Sequence, residues 1–387
     1  MRIRYLLLNA YGSGGTIRTT LSMAGVLAER GHDVEVASVT QRRPRPRLPV
    51  PSGVRLVSVT SPLHPVRGGS RLVLGRTRST FAHPNDRLGR YLTRAHDHWL
   101  RRYVAAQDDC VVVATRMSLN LALAELRSDR QVAVAQEHNH LARAPGVQAS
   151  YVAAYPRLDA LVVLTEGDAA RYRELLGRTC PVAVVANALP RGIPLRRSPL
   201  TTTVAVSAGS LIARKGFDLL VDAWRTVAER HPDWTLRIYG VGAEADALTR
   251  RIADAGLSTT VTLEGFEPDL ASRLDEASLF VLPSRREGMP MVLLEAMAAG
   301  LPVVTFDCPT GPADVLERGR HGVLVPPGDV PALAAGIERV AADPQERHRL
   351  AQAAATRVRD FDPLATARRW ESLFEELADR RGLAVGR

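Results

Sequence analysis

Lysine is almost missing from this chain: of its 51 basic residues 50 are arginine, and Lys215 is the only lysine. Arginine and lysine are not interchangeable where a compact ammonium is required, so the one lysine retained is a candidate functional group. Cysteine is also scarce. Cys110, Cys180 and Cys308 are odd in number and widely spaced, which argues against a disulfide framework and against a zinc-ligand spacing. No run approaches the roughly 18 apolar residues of a membrane span, and the stretch up to Leu8 is short for a signal-peptide core. A cytoplasmic location is expected, peripheral to the inner face of the membrane at most, with no nucleic-acid partner.

The chain has 387 residues, more than one ordinary core accommodates, so two domains are expected. Its 45% hydrophobic and 24% charged content fits a globular enzyme. Charge is unevenly spread. Residues 1–200 hold 29 Arg against 14 Asp and Glu, a net +15, whereas residues 201–387 carry a net −5. A basic first half suits an anionic acceptor or an anionic membrane surface, with plain solubility as the competing account.

Strand-like apolar runs alternate with helix-like amphipathic runs, the pattern of a parallel sheet clothed by helices. Ile3–Leu8 reads as a strand, followed by the turn 11–15, a helix from Thr16 to Arg30 closed by Gly31, and a strand Val34–Val39. Val111–Ala114, Val132–Ala135 and Leu161–Leu164 read as further buried strands, and Arg87 to Arg102 as one basic amphipathic helix. Residues 191–203 have linker composition, which divides the chain into 1–190 and 204–363, with a final helix at about 364–380 expected to pack back on the first domain. The alternation then restarts with strands Val204–Ala208, Leu236–Tyr239, Val261–Leu263, Leu279–Leu282 and Val303–Phe306. Two doubly wound halves result, with ligands expected at the carboxyl ends of their strands.

The chemistry concentrates between Ser207 and Glu295. After the strand Val204–Ala208 comes Gly209-Ser210-Leu211-Ile212-Ala213-Arg214-Lys215-Gly216. A strand, a glycine and then a cation at a helix start is an arrangement that holds phosphate oxygens against backbone N–H groups and the helix dipole. The second element is Glu287-Gly288-Met289-Pro290, with Glu295 in the helix that follows. Gly288 permits a tight turn, Pro290 suits a first helical turn, and carboxylates so placed can accept hydrogen bonds from sugar or ribose hydroxyls. The dull alternative makes both glutamates solvated helix-start carboxylates.

These stretches resemble the family 4 glycosyltransferases of the GT-B fold. That family has a GR-L-xxx-KG phosphate turn and a pair of glutamates eight residues apart in the context E-G-x-P-x-x-x-x-E-A-M-A-x-G-x-P-V-V. This chain has Glu287-Gly288 and Glu295-Ala296-Met297-Ala298-Ala299-Gly300-Leu301-Pro302-Val303-Val304. The likeness runs on through Asp307-Cys308-Pro309-Thr310-Gly311-Pro312 and Gly322 to Asp329, and its wording is nearest to bacterial members acting on cell-wall and capsular polymers.

The resemblance implies two Rossmann-like domains facing each other across a cleft, and retaining, metal-independent transfer of a hexose. The donor would be a nucleotide-diphospho-sugar, UDP favoured, with no other cofactor. Lys215 would neutralise the departing diphosphate, Glu287 hold the sugar hydroxyls, Glu295 the ribose, and Gly265 with Phe266 read the base. Ser210 stands where the family has an arginine, and Arg214 is the expected replacement. Gly14 and Gly15 match the glycine-rich turn near diphosphate and acceptor. His138, in Gln136-Glu137-His138-Asn139, matches the strand-end histidine that contacts sugar. A lone strand-end histidine is also a common structural residue. The acceptor is left open among an anionic polymer, a lipid-linked intermediate and a small natural product.

Other classes leave weaker traces. A nicotinamide oxidoreductase would need G-x-G-x-x-G, and Ile17 occupies the third glycine position after Gly12 and Gly14. A sugar-nucleotide epimerase or a non-catalytic binding subunit would share the architecture. No metal site is expected.

Overall fold

Apolar residues of alternate strand positions enter different clusters, and this builds the first half of the chain. Ile3, Tyr5 and Leu7 join one buried cluster with Val34, Val36, Val111 and Val113, whereas Leu6 and Leu8 join a second with Ala37, Val39 and Val112. Both faces are therefore covered, as a parallel sheet requires. The computed structural model describes residues 1–58, 77–86, 88–141 and 145–384. It divides into two units, residues 1–191 with 363–387 and residues 192–362.

The first unit contains β1 (Arg2–Leu7), β2 (Asp33–Ser38), β3 (Val54–Ser58), β4 (Cys110–Ala114), β5 (Gln131–Gln136), β6 (Ala160–Val163) and β7 (Val182–Val184). Their order is β3-β2-β1-β4-β5-β6-β7, all parallel, with Ile3 between Val34 and Val111. The helix Pro363–Arg381 belongs to this unit: Trp370 and Phe374 are buried with Ile3 and Leu27, and Glu371 receives Arg30 at 2.6 and 2.7 Å. The second unit contains β8 (Val204–Ala208), β9 (Thr235–Tyr239), β10 (Val261–Gly265), β11 (Leu279–Leu282), β12 (Val303–Phe306) and β13 (Val323–Val325), in the order β10-β9-β8-β11-β12-β13. Strand order reverses between β1 and β4 in one sheet and between β8 and β11 in the other. Crevices for ligands open at such switch points, beyond the strands' carboxyl ends.

Three strands escape the sequence pattern: β3, β7 and β13. All three sit at sheet edges; β3 is interrupted by Arg55, and β7 and β13 are three residues each, too short to read as strands by periodicity. The expected basic helix from Arg87 to Arg102 is corrected. Arg87 lies outside the described residues, Gly89–Tyr91 is a separate 3₁₀ turn, and the helix is Arg94–Ala105. Thr93 starts it: the His96 ring accepts from the Thr93 backbone N–H at 3.0 Å, closing a capping box. No helix among the described residues is long and apolar enough to cross a membrane.

Candidate active site

The switch point of the second sheet holds the firmest candidates. Beyond β8, the short 3₁₀ turn Ala213–Lys215 leads through Gly216 into the helix Phe217–Arg230. Beyond β11, Pro283 to Pro290 leads into the helix Met291–Ala298. Because β8 and β11 are neighbours, the two loops meet. Arg285 N–H donates to the Arg214 carbonyl at 2.9 Å, and the Arg285 guanidinium donates to both carboxylate oxygens of Asp218 at 2.6 Å.

The sole lysine ends on the buried carboxylate. Lys215 Nζ donates to Glu287 Oε1 at 2.6 Å, and Ser284 Oγ donates to the same oxygen at 2.6 Å. Oε2 meets only Arg214 among the described residues, with Nη1 at 3.9 Å. Glu287 is 5% exposed, so its charge is held by these groups rather than by bulk water. One oxygen is saturated and the other remains an acceptor for hydroxyl donors. Arg214 thus stands beside Lys215 at a single carboxylate, while Ser210 is exposed at the loop's start.

The Arg285 guanidinium above all holds the Asp218 carboxyl below its usual pKa range. At the start of the helix the Leu219 N–H donates to the Gly216 carbonyl at 3.0 Å, and Lys215 and Arg214 are the two cations of this turn.

Glycines form a ledge beside them. Gly209 N–H donates to the Tyr239 carbonyl at 3.0 Å, and Gly240 N–H to the Gly265 carbonyl at 2.7 Å, across the adjacent ends of β8, β9 and β10. A Cβ on Gly240 would lie 1.8 Å from the Gly209 carbonyl oxygen, and one on Gly242 2.1 Å from that of Leu211. Gly240 and Gly242 were not singled out from sequence, although a G-x-G directly after an apolar strand is their signal. Gly265 ends β10 with φ +76°, and the Phe266 side chain next to it is 70% exposed, open to stack on a flat ligand.

Gly288 lies in a bend with Met289. In the facing loop after β12 the backbone is left-handed at Thr310 (φ 64°) and Gly311 (φ 92°). Thr310 is β-branched, so this φ is strained, and its hydroxyl donates to the Glu287 carbonyl at 2.9 Å. The loop after β12 therefore clamps the Glu287 backbone. Met289 and Pro290 are buried, Pro290 preceding the helix as its cap, and Glu295 is a buried residue of that helix.

In the first unit, Gly14 caps the helix Gly15–Glu29 with φ −71°, and Gly14 and Gly15 are exposed with open space where a Cβ would go. His138 follows β5. Its Nε2 is shut off from water without a hydrogen bond among the described residues, and burial pushes its pKa down to about 4. Its neighbour Glu137 was not predicted as a site residue. Tyr155 Oη donates to Glu137 Oε1 at 2.6 Å and Asn120 Nδ2 donates at 2.8 Å, while burial pushes this carboxyl up to about 7.

The adjacent shifts have opposite linkage. Between pH 4.5 and 7 folded Glu137 keeps a proton the unfolded chain has lost, so stability falls as pH rises. Between pH 4 and 6.5 unfolded His138 binds a proton the folded chain does not, so stability rises with pH. In the intact protein the two slopes largely cancel. Glu137→Gln keeps both hydrogen bonds and is expected to leave a rising slope; His138→Gln is expected to leave a falling one. Urea midpoints at pH 4.5, 5.5 and 6.5 decide this, and identical slopes in both variants would contradict it.

One Asp-x-Asp does occur, Asp360-Phe361-Asp362. It lies at a 3₁₀ turn with Phe361 buried and Asp360 paired to Arg357 at 2.8 Å. No group of three or more His, Cys, Asp or Glu side chains suited to a metal occurs among the described residues.

Residues 196–357, which hold the β8–β11 switch point, match the family described as Glycosyl transferases group 1. The chain carries a group 1 glycosyltransferase domain. An exopolysaccharide phosphotransferase of Streptomyces coelicolor is 34% identical over 98% of this chain, which spans only 41% of that relative's length. Sucrose-phosphate synthase from Thermosynechococcus elongatus shares the fold with a TM-score of 0.79 at 20% identity, covering 98% of this chain and 99% of that one. Anabaena HepE, solved with UDP, superposes at 0.74 and 19% identity over 97% of this chain and all of its own. The fold is GT-B, and the glycosyltransferase domain is its C-terminal Rossmann-like unit.

Proposed function

We propose that the chain transfers a hexose, with retention and without a metal, from a nucleotide-diphospho-sugar to a hydroxyl of a polysaccharide-type acceptor. The observation that carries this reading is the Glu287 carboxylate, with Oε1 saturated by Lys215 and Ser284 and Oε2 met only by Arg214, at 3.9 Å, among the described residues. Such a group can accept sugar hydroxyls while the Lys215 and Arg214 cations face the diphosphate. In the reaction the acceptor oxygen bonds to the anomeric carbon, the bond from that carbon to the diphosphate oxygen breaks, and the electron pair leaves with the nucleoside diphosphate. The acceptor proton passes to the leaving phosphate or to water. Lys215 and Arg214 stabilise the charge that grows on the departing oxygen, where a preorganised cation has most effect.

The remaining roles in this reading rest on the family resemblance. Gly209, Gly240 and Gly265 let the nucleotide approach backbone, Phe266 offers a face to the base, Glu295 a carboxylate to the ribose, and neutral His138 an imidazole to the sugar. UDP is favoured because a fold neighbour, HepE, is solved with it.

A panel of UDP, GDP, ADP and dTDP sugars in thermal unfolding tests the donor. The matching sugar at a hundred times its Kd adds about 2.7 kcal/mol of stability. Product analysis separates a rival reading raised by the relative named a phosphotransferase. Sugar transfer releases UDP, whereas transfer of a sugar phosphate from the same donor breaks the phosphoanhydride and releases UMP. UMP as the stoichiometric product, an inverted anomer, or activity lost to EDTA and regained with Mg²⁺ would each overturn the corresponding part of the proposal.

A further inference from the structure

One tract of the first unit has almost no acid. Residues 36–107 contain 14 Arg and only two acidic residues, Asp86 and Asp97. Both are buried and used internally. Asp86 receives the Arg116 guanidinium and the Ser118 hydroxyl, and Asp97 receives Ser79 and Thr80. Neither carboxylate reaches the surface arginines. The stretches outside the described residues contain no Asp or Glu either.

Two of these arginines converge on one aromatic ring. The Arg42 guanidinium lies 4.2 Å from the Tyr91 ring centroid and that of Arg90 4.9 Å, and Arg90 Nη2 donates to the Tyr91 hydroxyl at 2.8 Å. Neither guanidinium forms an ion pair among the described residues. Like charges gathered on one ring repel, and an anion bridging them removes that repulsion. Arginine presents paired N–H donors that fit phosphate or carboxylate oxygens in a fork, and ring stacking holds that fork in place. The two arginines also lower the Tyr91 pKa, chiefly through the Arg90 hydrogen bond, so the local potential is positive. The platform belongs to the same unit as the glycine turn Gly14–Gly15. The loop carrying Arg42, Arg43, Arg45 and Arg47 leaves the carboxyl end of β2 and returns to the glycine turn, where Arg47 N–H meets the Tyr11 carbonyl at 3.4 Å.

We propose that the Arg42–Tyr91–Arg90 platform, with the neighbouring arginine loop, binds the phosphate or carboxylate groups of an anionic glycan and so delivers an anionic polysaccharide acceptor. This rests on the sugar-transfer reading and specifies its acceptor. A lipid surface fits less well. The Tyr91 ring is occupied by guanidiniums, which leaves Leu88 as the other exposed large apolar side chain of that turn among the described residues, and interfacial binding needs a larger apolar face.

The test uses the full chain and three probes: dextran sulfate, neutral dextran of equal length, and vesicles with and without anionic phosphatidylglycerol. Arg42→Gln with Arg90→Gln is compared with the charge-matched control Arg157→Gln with Arg178→Gln. Dextran sulfate binding is expected to weaken at least about tenfold in the platform variant and about twofold or less in the control, with neutral dextran unbound throughout. Equal weakening in both variants would reduce the effect to net charge and overturn the site. Unchanged dextran sulfate binding would overturn it too, and release from anionic vesicles in that case would assign the platform to a membrane. The UDP-sugar thermal shift is measured on the same samples. Its persistence in the platform variant keeps donor binding apart from acceptor binding, and its absence from the unaltered protein would count against the donor reading alone.

Discussion

Lys215→Ala and Glu287→Ala each lower kcat/KM at least about a hundredfold, the loss expected when a transition-state charge contact is removed. The two are coupled, since Nζ and Oε1 stand 2.6 Å apart. Deleting either leaves the other's charge in a largely buried place, and breaking a fully buried pair costs about 3–5 kcal/mol. The cost here is smaller, because the Lys215 side chain is 14% exposed and Arg214 Nη1 waits 3.9 Å from Oε2. Unfolding midpoints must therefore accompany the kinetics. Lys215→Arg separates the effects: it restores charge and much of the stability, but a planar fork cannot occupy the ammonium's place under Ser284, so activity stays low. Near-normal turnover in both alanine variants would move the active site elsewhere.

Gly216→Ala is expected to destabilise the glycosyltransferase domain by roughly 2–4 kcal/mol, from left-handed strain and overpacking together. Gly216 has φ +68°, and a Cβ there would lie 2.0 Å from the Pro283 carbonyl oxygen. That carbonyl belongs to the loop whose Arg285 is bonded to Asp218 and to the Arg214 carbonyl, so it cannot withdraw without opening the site. Urea denaturation and the UDP-sugar thermal shift should fall together. Gly14→Ala is the contrast. Its φ is −71° with no atom within 4 Å of an added Cβ, so it changes stability by about 1 kcal/mol or less. A fall in activity there, at preserved stability, would mark a ligand passing close to that backbone. If Gly216→Ala left the urea midpoint unchanged, the close approach of the two loops would be wrong.

How much was legible depended on whether the determinants were contiguous. The alternation of buried strands and amphipathic helices was visible because parallel strands covered on both faces need uninterrupted apolar runs, as in Cys110–Ala114. Edge strands such as Val323–Val325, only three residues between Gly322 and Pro326, are too short to carry that signal and were missed. The Gly209–Gly216 and Glu287–Glu295 stretches were legible since each is one loop with a fixed internal order. Asp218, Arg285 and Thr310 were not, because a charged or hydroxyl side chain in a loop or at a helix start has no local mark of its partner.

By itself the sequence determined the two-unit α/β architecture, the residue types at the site and the isolation of one lysine among arginines. Tertiary structure alone decided what those residues touch. Lys215 and Glu287 are 72 positions apart and meet only because β11 lies beside β8 in the sheet. The same packing set Arg285 on the Asp218 carboxylate, and buried Glu137 against Tyr155 and Asn120. Such contacts depend on strand order and on which groups lose water, and neither is written in any short window of the chain.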